Sequence, residues 1–408
     1  MAYDLNLIRA LADDVFDETV KIRRRLHRHP ELSGQEEETA RLVCAQLEAL
    51  GIPYTPGIAG HSVCGLIRGA DQTRAAAIRA DMDALPIEEK NSLPFRSQNP
   101  GVMHACGHDM HSAILLGSAK VLRKLQAELP FCVKLFFQAA EETTGGARQM
   151  IEAGCLQDPV VEYVIGLHVE PALESGCVQF TPGAAKAASC EFAVTVKGRS
   201  CHGAHPQDGL DPLLPACKMV LALQTIAGRR PIATDGALIT VGQLRSGTKN
   251  NIIPAESCFS GIIRTLHGEQ RAFLKEQIKA VCRDIAADAG AACAFSFADS
   301  YPVLVNDEHL LAVVRRAAAE ALGPNKIKIS HTASMGCDDF AYFCHGARSL
   351  YYDLGVARPG QTDAAPVHSE QFCPDEEAIR TGILTEVTGI LRIMEEMRSQ
   401  DKKDSSPE

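Results

Sequence analysis

Short, uninterrupted apolar segments separated by helical patterns are the feature that most limits the fold of this chain. Each segment has the length of one strand, and strands that are apolar on both faces are typical of parallel sheets covered by helices. The four segments are AAAIRA (75–80), VKLFFQ (133–138), VEYVIGL (161–167) and YYDLGV (351–356). Because helical spacing of apolar residues separates them, the sequence predicts an α/β fold, a mostly parallel sheet with helices on both faces.

Two helices are predicted before the first of these strands. The first begins near Leu5 and must end before Pro30, which cannot continue a helix. Ser33 and Glu36 have the spacing of a capping box, so we expect them to cap a second helix that stops at Gly51. Further helices are predicted near 109–127, 145–153 and 308–322.

The hydrophobic period changes near residue 189 and changes back after Pro302. In between, the segments follow the order β-α-β-β-α-β, which is that of a ferredoxin-like unit. These segments are 190–196, 211–227, 237–244, 257–264, 269–288 and 293–297. We therefore expect an inserted α+β domain at 188–300, a catalytic domain formed by 1–187 and 301–396, and a frayed tail at 397–408.

Charge and cysteine usage exclude several classes of protein. The chain has 41 Lys and Arg against 51 Asp and Glu, a net charge of −10, whereas nucleic-acid binding needs a basic face. No apolar run approaches the roughly 20 residues that span a membrane, and the acidic, amphipathic start is unlike a signal peptide. The 15 cysteines contain no CxxC pair, so they do not form the pattern of a disulfide framework. We expect a cytoplasmic protein that binds neither nucleic acid nor membrane.

Residues 104–111 concentrate metal-binding side chains, with three His, one Cys and one Asp within eight residues. A polar helix start that happens to be rich in histidine is the alternative interpretation. Imidazole and thiolate are the usual ligands of zinc and other late divalent metals. Cys106 and His108 lie one residue apart and can point into the same space, so we take both as candidate ligands.

Ionisable side chains also follow three predicted strands directly. Asp81 and Asp83 follow the first strand, Glu141 and Glu142 follow the second, and His168 follows the third. A solvated acidic turn is the commoner fate of a Glu–Glu pair. However, open α/β sheets place their sites at the carboxyl ends of parallel strands, so we expect these side chains to share one site.

His368, soon after the fourth strand, is the last candidate, although a lone surface histidine is the simpler interpretation. The candidates exceed what one tetrahedral ion can bind, and five protein ligands fit two metals roughly 3.5–4 Å apart. The five are Cys106, His108, Glu142, His168 and His368. Two metals lower the pKa of a bridging water and polarise a carbonyl, and Glu141 is then available as general base. The predicted chemistry is amide hydrolysis.

Over almost its whole length the chain resembles the amidohydrolase branch of the metallopeptidase family that holds aminoacylases and carboxypeptidases. Within that branch it resembles hippurate hydrolases and hydrolases of auxin–amino acid conjugates. The matching stretches, in family order, are 23–39, 79–89, 101–111, 137–154, 166–171, 197–212, 250–254, 261–266, 335–343 and 367–376.

The resemblance implies a role for each candidate. The five candidate ligands fall on the metal positions of the branch, and Glu141 falls on its general base. Asp81 falls on the Asp that orients a metal ligand, and Arg79 stands where most of the family has a metal-binding His. His202 falls on the family His that reaches the partner's active site and helps to hold the oxyanion.

The resemblance also implies how substrate and metals bind. Asn251 and Arg264 fall on positions that bind the carboxylate end of the substrate, for which a forked guanidinium is well suited. The family's inserted domain is a dimerisation domain, which implies a homodimer. Two divalent ions per subunit are implied, Mn²⁺ or Zn²⁺ first and Co²⁺ or Ni²⁺ as further options. The chain departs from the usual branch residues at Ala139, Cys337, Asp338 and Glu370.

We therefore predict a homodimeric, dinuclear metal-dependent amidohydrolase that releases a carboxylic acid and a free amino acid. The expected substrates are N-acyl amino acids, namely hippurate-like, N-acetyl or aryl-acyl conjugates. A dipeptidase or carboxypeptidase on the same scaffold is the first alternative. A metal-binding protein without catalysis is the second, and Glu141 argues against it because a pure binding site needs no spare base. A redox sensor built on Cys106 is the third, and metal ligation would suppress its reactivity.

Overall fold

A computed structural model describes residues 3–229 and 236–404, which form two compact units. The first unit comprises Met1–Gly183, Val305–Thr332 and Asp338–Glu408. The second comprises Ala184–Leu304 and Ala333–Cys337, so it interrupts the first along the chain. None of the helices in the described ranges is both long enough and apolar enough to cross a membrane.

An eight-stranded sheet forms the centre of the first unit. In spatial order its strands are Tyr54–Pro56, Val63–Ile67, Phe131–Gln138, Asp71–Asp81, Val160–Glu174, Arg348–Ala357, Val178–Phe180 and Ile327–Ile329. The four predicted apolar segments are the four central strands, and neighbours among them pair in parallel. All eight residues of Phe131–Gln138 are buried, so both faces of the sheet are covered there. The predicted mostly parallel α/β sheet is confirmed.

The helices of the first unit lie close to their predicted positions, and the first ends at Arg28, two residues before Pro30. Helix Ala378–Asp404 continues past Met397, where a tail was expected to begin, and residues 405–408 lie outside the described residues. The other helices are Leu5–Arg28, Glu37–Ala49, His108–Lys124, Gly146–Glu152, Glu308–Leu322 and Phe343–Gly346, with 3₁₀ turns at Gln126–Glu128, Pro324–Lys326 and Asp339–Tyr342.

The capping box predicted for the second helix is wrong. Glu36 is the N-cap residue of that helix, but its side chain makes no capping hydrogen bond. Its Oε1 instead accepts the backbone N–H of Ala140 at 2.8 Å, and the Ser33 hydroxyl donates to Asp83 at 2.6 Å. Both polar side chains therefore bond to residues that follow central strands rather than to the helix that they precede.

The second unit has a four-stranded antiparallel sheet with two helices. In spatial order the strands are Ala237–Ser246, Glu256–Thr265, Ala188–Lys197 and Ala292–Asp299, and the helices are Leu213–Arg229 and Gly268–Asp288. Along the chain this is the β-α-β-β-α-β order that the sequence predicts. The shorter elements are a ribbon of Cys201–His202 with Ile252–Ile253, a 3₁₀ turn at Pro206–Asp208, and strands Gly183–Lys186 and Leu304–Asn306 where the chain passes between units.

Candidate metal centre

All five candidate ligands come together in the first unit, in two overlapping groups. Ligand atoms of Cys106, His108 and His168 lie within 4.8 Å of one another, and so do those of Cys106, Glu142 and His368. Cys106 Sγ is 3.3 Å from His168 Nε2, and Glu142 Oε1 is 3.2 Å from His368 Nε2. Cys106 belongs to both groups, so the arrangement is one continuous cluster rather than two separate sites.

The cluster has the properties of a site for divalent cations. His108 Nε2 is buried and has no hydrogen-bond partner among the described residues. A buried polar atom of this kind calls for a ligand that satisfies it. Thiolate, imidazole and carboxylate together are a donor set that late divalent metals accept. The residues present therefore fit a pair of divalent ions.

Asp83 positions two of the ligands. Its Oδ1 lies 3.0 Å from His108 Nδ1, and its Oδ2 accepts the backbone N–H of Glu142 at 2.9 Å. Burial lowers the pKa of His108, but the carboxylate of Asp81 and the bond to Asp83 outweigh it and hold that pKa well above its usual value. Burial raises the pKa of the Cys106 thiol to about 12, so a bound cation must displace its proton.

Asp81 makes no hydrogen bond to any of the five candidate ligands, although its Oδ1 lies 3.8 Å from His108 Nε2. Its Oδ2 accepts from Arg79 Nη1 at 2.6 Å, and its Oδ1 lies 2.5 Å from His111 Nδ1. His111 Nε2 in turn accepts the backbone N–H of Val169 at 3.0 Å. Val169 directly follows His168, so Asp81 reaches the strand that carries this ligand through the imidazole of His111.

Glu141 lies on a tight turn that follows strand Phe131–Gln138. Within the turn, Ala140 has a positive φ of 59°, and the N–H of Gly145 donates to its carbonyl at 3.0 Å. Burial raises the pKa of Glu141 well above its usual value, and the nearby carboxylates of Asp338 and Asp339 raise it further. Burial and the neighbouring carboxylates therefore both favour the protonated form of this carboxyl group.

The sequence did not identify Asp339 as part of the site and noted Asp338 only as a departure. Asp338 accepts hydrogen bonds from the Tyr351 hydroxyl and, at 2.9 Å, from the backbone N–H of Phe340. Ligand atoms of Glu141, Asp338 and Asp339 lie within 4.8 Å of one another, and all three side chains are buried. Two adjacent aspartates directly before an apolar stretch were the signal that could have revealed them.

The three remaining candidates belong to the second unit. His202 lies on the short ribbon opposite Ile252, and the carbonyl of Asn251 accepts the N–H of Gly203 at 2.8 Å. His202 Nδ1 accepts the N–H of Ala204 at 3.1 Å, which leaves Nε2 as the protonated nitrogen. The ribbon thus holds His202 next to the segment that carries Asn251.

Arg264 lies elsewhere in the second unit, on strand Glu256–Thr265. Its Nη1 is buried and has no hydrogen-bond partner within residues 3–229 and 236–404. A buried guanidinium nitrogen without a partner is suited to bind an anion that the protein does not itself supply.

Residues 77–389 match the family model described as "Peptidase family M20/M25/M40". The chain belongs to this family. An N-acetyl-L-cysteine deacetylase of Bacillus subtilis is 38% identical over 361 residues, which are 88% of this chain and 84% of the relative. The IAA-amino acid hydrolase ILR1-like 4 of Arabidopsis thaliana is 32% identical over 401 residues, 97% of this chain and 90% of the relative.

A solved structure agrees with the family assignment. The YXEP protein of Bacillus subtilis, a dinuclear metal-binding peptidase of the M20 family, superposes with a TM-score of 0.81 at 31% identity, covering 94% of this chain and 99% of that one. As an M20 family member with the cluster described above, the chain is a metal-dependent hydrolase of linear amides with a site for two divalent ions. The predicted family and enzyme class are confirmed.

Proposed function

We propose that this M20 family member hydrolyses the amide bond of N-acyl amino acids and releases a carboxylic acid and a free amino acid. One observation carries the proposal: a buried carboxylate, Glu141, lies within 4.8 Å of the candidate ligands His108 and Glu142 without being one of the five. The names of two relatives, an N-acetyl-L-cysteine deacetylase and an IAA-amino acid hydrolase, support acylated amino acids as the substrate class.

In this proposal the metal ions are held by Cys106, His108, Glu142, His168 and His368, with Mn²⁺ or Zn²⁺ preferred and Co²⁺ or Ni²⁺ as further options. When bound, the ions lower the pKa of a water molecule and polarise the substrate carbonyl. Glu141 takes the proton of the attacking water and delivers it to the nitrogen of the leaving amine. Its position suits both transfers, because its buried carboxyl group lies within 4.8 Å of ligand atoms of His108 and Glu142 and is not itself one of the five candidate ligands.

Residues of the second unit complete the proposed chemistry. Arg264, whose buried Nη1 has no hydrogen-bond partner in the described part of the chain, and Asn251 bind the free carboxylate of the substrate. His202, contributed by the partner subunit of a homodimer, donates from Nε2 to the oxyanion that forms during attack. Asp81 has a supporting role, because it holds His111 against the strand that carries His168.

A homodimer and a cytoplasmic location are the remaining parts of the proposal. Leu214 and Leu221, on helix Leu213–Arg229, are 63% and 71% exposed, which supports a face that a second copy covers. All 15 cysteines are free thiols, which supports a reducing compartment. Sedimentation equilibrium of the wild type and of a Leu221→Glu variant tests the dimer. A monomeric wild type would contradict it.

The test of the reaction is an assay of free amino acid released from N-acetyl, benzoyl, indole-acetyl and dipeptide substrates. Metal-loaded enzyme is compared with the same preparation after chelation. We expect chelator-sensitive turnover of at least one N-acyl amino acid at a higher kcat/KM than of any dipeptide. Preference for dipeptides would favour the dipeptidase alternative, and no turnover with two metals bound would contradict the proposal.

A further inference from the structure

The turn that carries Glu141 is fixed at both of its ends by a single carboxylate. Asp339 Oδ2 accepts from Gln138 Nε2 at 2.7 Å, and Gln138 is the last residue of the strand before the turn. The same oxygen accepts the backbone N–H of Ala147 at 2.9 Å, just after the turn closes. Asp339 is fully buried. The position of Glu141 along the turn is therefore determined by a residue about 200 positions away in the sequence.

Arg79 holds Asp339 in place. Its Nη2 donates to Asp339 Oδ1 at 2.8 Å, its Nε donates to Gln138 Oε1 at 2.8 Å, and its Nη1 donates to Asp81 Oδ2 at 2.6 Å. Each of the three guanidinium nitrogens thus has its own acceptor. Only arginine presents donors in this fork, because lysine offers a single point charge.

The positive charge of the Arg79 guanidinium is needed as well as its geometry. Arg79 and the carboxylates of Asp81 and Asp339 are completely buried, and Asp338 Oδ1 lies 3.6 Å from Arg79 Nη2. Carboxylates buried together repel one another unless a cation lies between them. Arginine stays protonated at every pH at which the enzyme works, so this cation is permanent.

We infer that Asp339 and Arg79, together with Gln138, are positioning residues that hold Glu141 in the orientation required for proton transfer. We call these three side chains the Arg79 clamp. The inference rests on the proposed role of Glu141 as general base. None of the three is among the five candidate ligands. Because the ligand Glu142 lies on the same turn as Glu141, metal content is measured with the kinetics, so that an effect on the base is distinguished from an effect on this ligand.

The test combines kinetics with hydrogen–deuterium exchange of the segment 139–147. We expect Arg79→Lys, Asp339→Asn and Gln138→Met each to lower kcat by about 10- to 100-fold, because a small displacement of a catalytic group has an effect of that size. KM should stay within about threefold, with two metals bound per chain. Exchange in 139–147 should rise in each variant. Arg74→Lys is the matched control, because Arg74 lies on the same strand and pairs with the partly exposed Glu162 at 2.9 Å.

The double variant Arg79→Lys/Asp339→Asn shows whether the two residues act together or independently on kcat. For a single clamp, the double variant should lose no more kcat than the worse single variant. Gln138→Met carries the test if the charged variants do not fold, because it removes two hydrogen bonds without changing the net charge. Additive losses, loss of a metal, or unchanged exchange and kcat would each overturn the inference. A wild type that turns over no substrate would overturn the proposed function instead, while the exchange measurement still tests the clamp.

Discussion

Asp83 accepts a hydrogen bond from His108, with 3.0 Å between Oδ1 and Nδ1. This bond fixes the ring so that Nε2 points into the ligand cluster. The other oxygen of Asp83 accepts the N–H of Glu142 at 2.9 Å, so one carboxylate orients a ligand from each of two chain segments. Partners of this kind fix the orientation of metal ligands and thereby tune the affinity of the site.

Asp83→Asn should weaken metal binding by about 10- to 100-fold, because an amide cannot accept both hydrogen bonds and also keep the charge. Competition with a chromophoric chelator measures this change. Asp71→Asn is the control, because Asp71 lies at the far end of the strand that precedes Asp83, and its side chain accepts hydrogen bonds from nearby Thr73. Unaltered affinity in Asp83→Asn would show that Asp83 does not orient the site.

The strand ends that form the site could be predicted from the sequence because the relevant signal is local. A buried strand is recognisable from its own residues, and parallel neighbours bring their carboxyl ends to one edge. Asp81 is the last residue of one such strand, Glu141 follows a second, and His168 lies on a third that continues beyond its predicted end, so their proximity followed from three separate local patterns. The inserted unit was recognisable for a similar reason, because its strands alternate in period two where those of the first unit are continuously apolar.

The contacts that complete the site could not be predicted, because they join residues far apart in the chain. Glu36 has the correct spacing for a helix cap, yet it bonds to Ala140, 104 positions away. The Glu36 carboxylate can accept a hydrogen bond either from its own helix or from a distant residue. Which of the two forms depends on the packed tertiary structure. Asp339 and Arg79 are 260 positions apart, and no periodicity in either segment indicates that they meet.

Glu141→Gln should lower kcat by a factor of about 10² to 10⁴ while two metals per chain stay bound. The amide has the size of the carboxyl group but cannot take the proton of the attacking water. Metal content by mass spectrometry, measured beside initial rates, checks both parts. Glu142→Gln is the informative comparison, since loss of a candidate ligand should lower the metal content. Full activity in Glu141→Gln would exclude it as the base.

Gly146→Ala should disrupt the turn that carries Glu141. A Cβ at this position would lie 2.0 Å from the carbonyl oxygen of Ala139, so the backbone must move. We expect a loss of about 1–3 kcal/mol in the free energy of unfolding together with a lower kcat. Gly268→Ala is the control, because no atom lies within 4 Å of a Cβ there and its backbone φ is ordinary. Equal free energies of unfolding in urea for the two variants would contradict the close contact between residue 146 and the Ala139 carbonyl oxygen.

Glu386 is a buried carboxyl group outside the candidate metal centre. It lies on helix Ala378–Asp404, and its Oε2 accepts from the hydroxyl of Ser118, on helix His108–Lys124, at 2.6 Å. Among the described residues its Oε1 has no hydrogen-bond partner, and neither has the hydroxyl of Tyr352 on the adjacent strand Arg348–Ala357. Burial raises the pKa of Glu386 to about 8.

This raised pKa makes the stability of the first unit depend on pH in a definite direction. The unfolded carboxyl loses its proton near its ordinary value of 4.5, whereas the folded one keeps it up to about 8. The contribution of Glu386 to the free energy of unfolding is therefore fully present below pH 4.5. It is lost as pH rises from 4.5 through 8, with a slope of up to about 1.4 kcal/mol per pH unit. Glu386→Gln, whose amide stays neutral, should lose less stability than the wild type between pH 5 and pH 9. Urea unfolding of the metal-free protein at each pH measures the free energy of unfolding. Glu377→Gln is the control, because Glu377 is exposed. Parallel pH profiles for wild type and Glu386→Gln would mean that Glu386 is ionised in the folded protein.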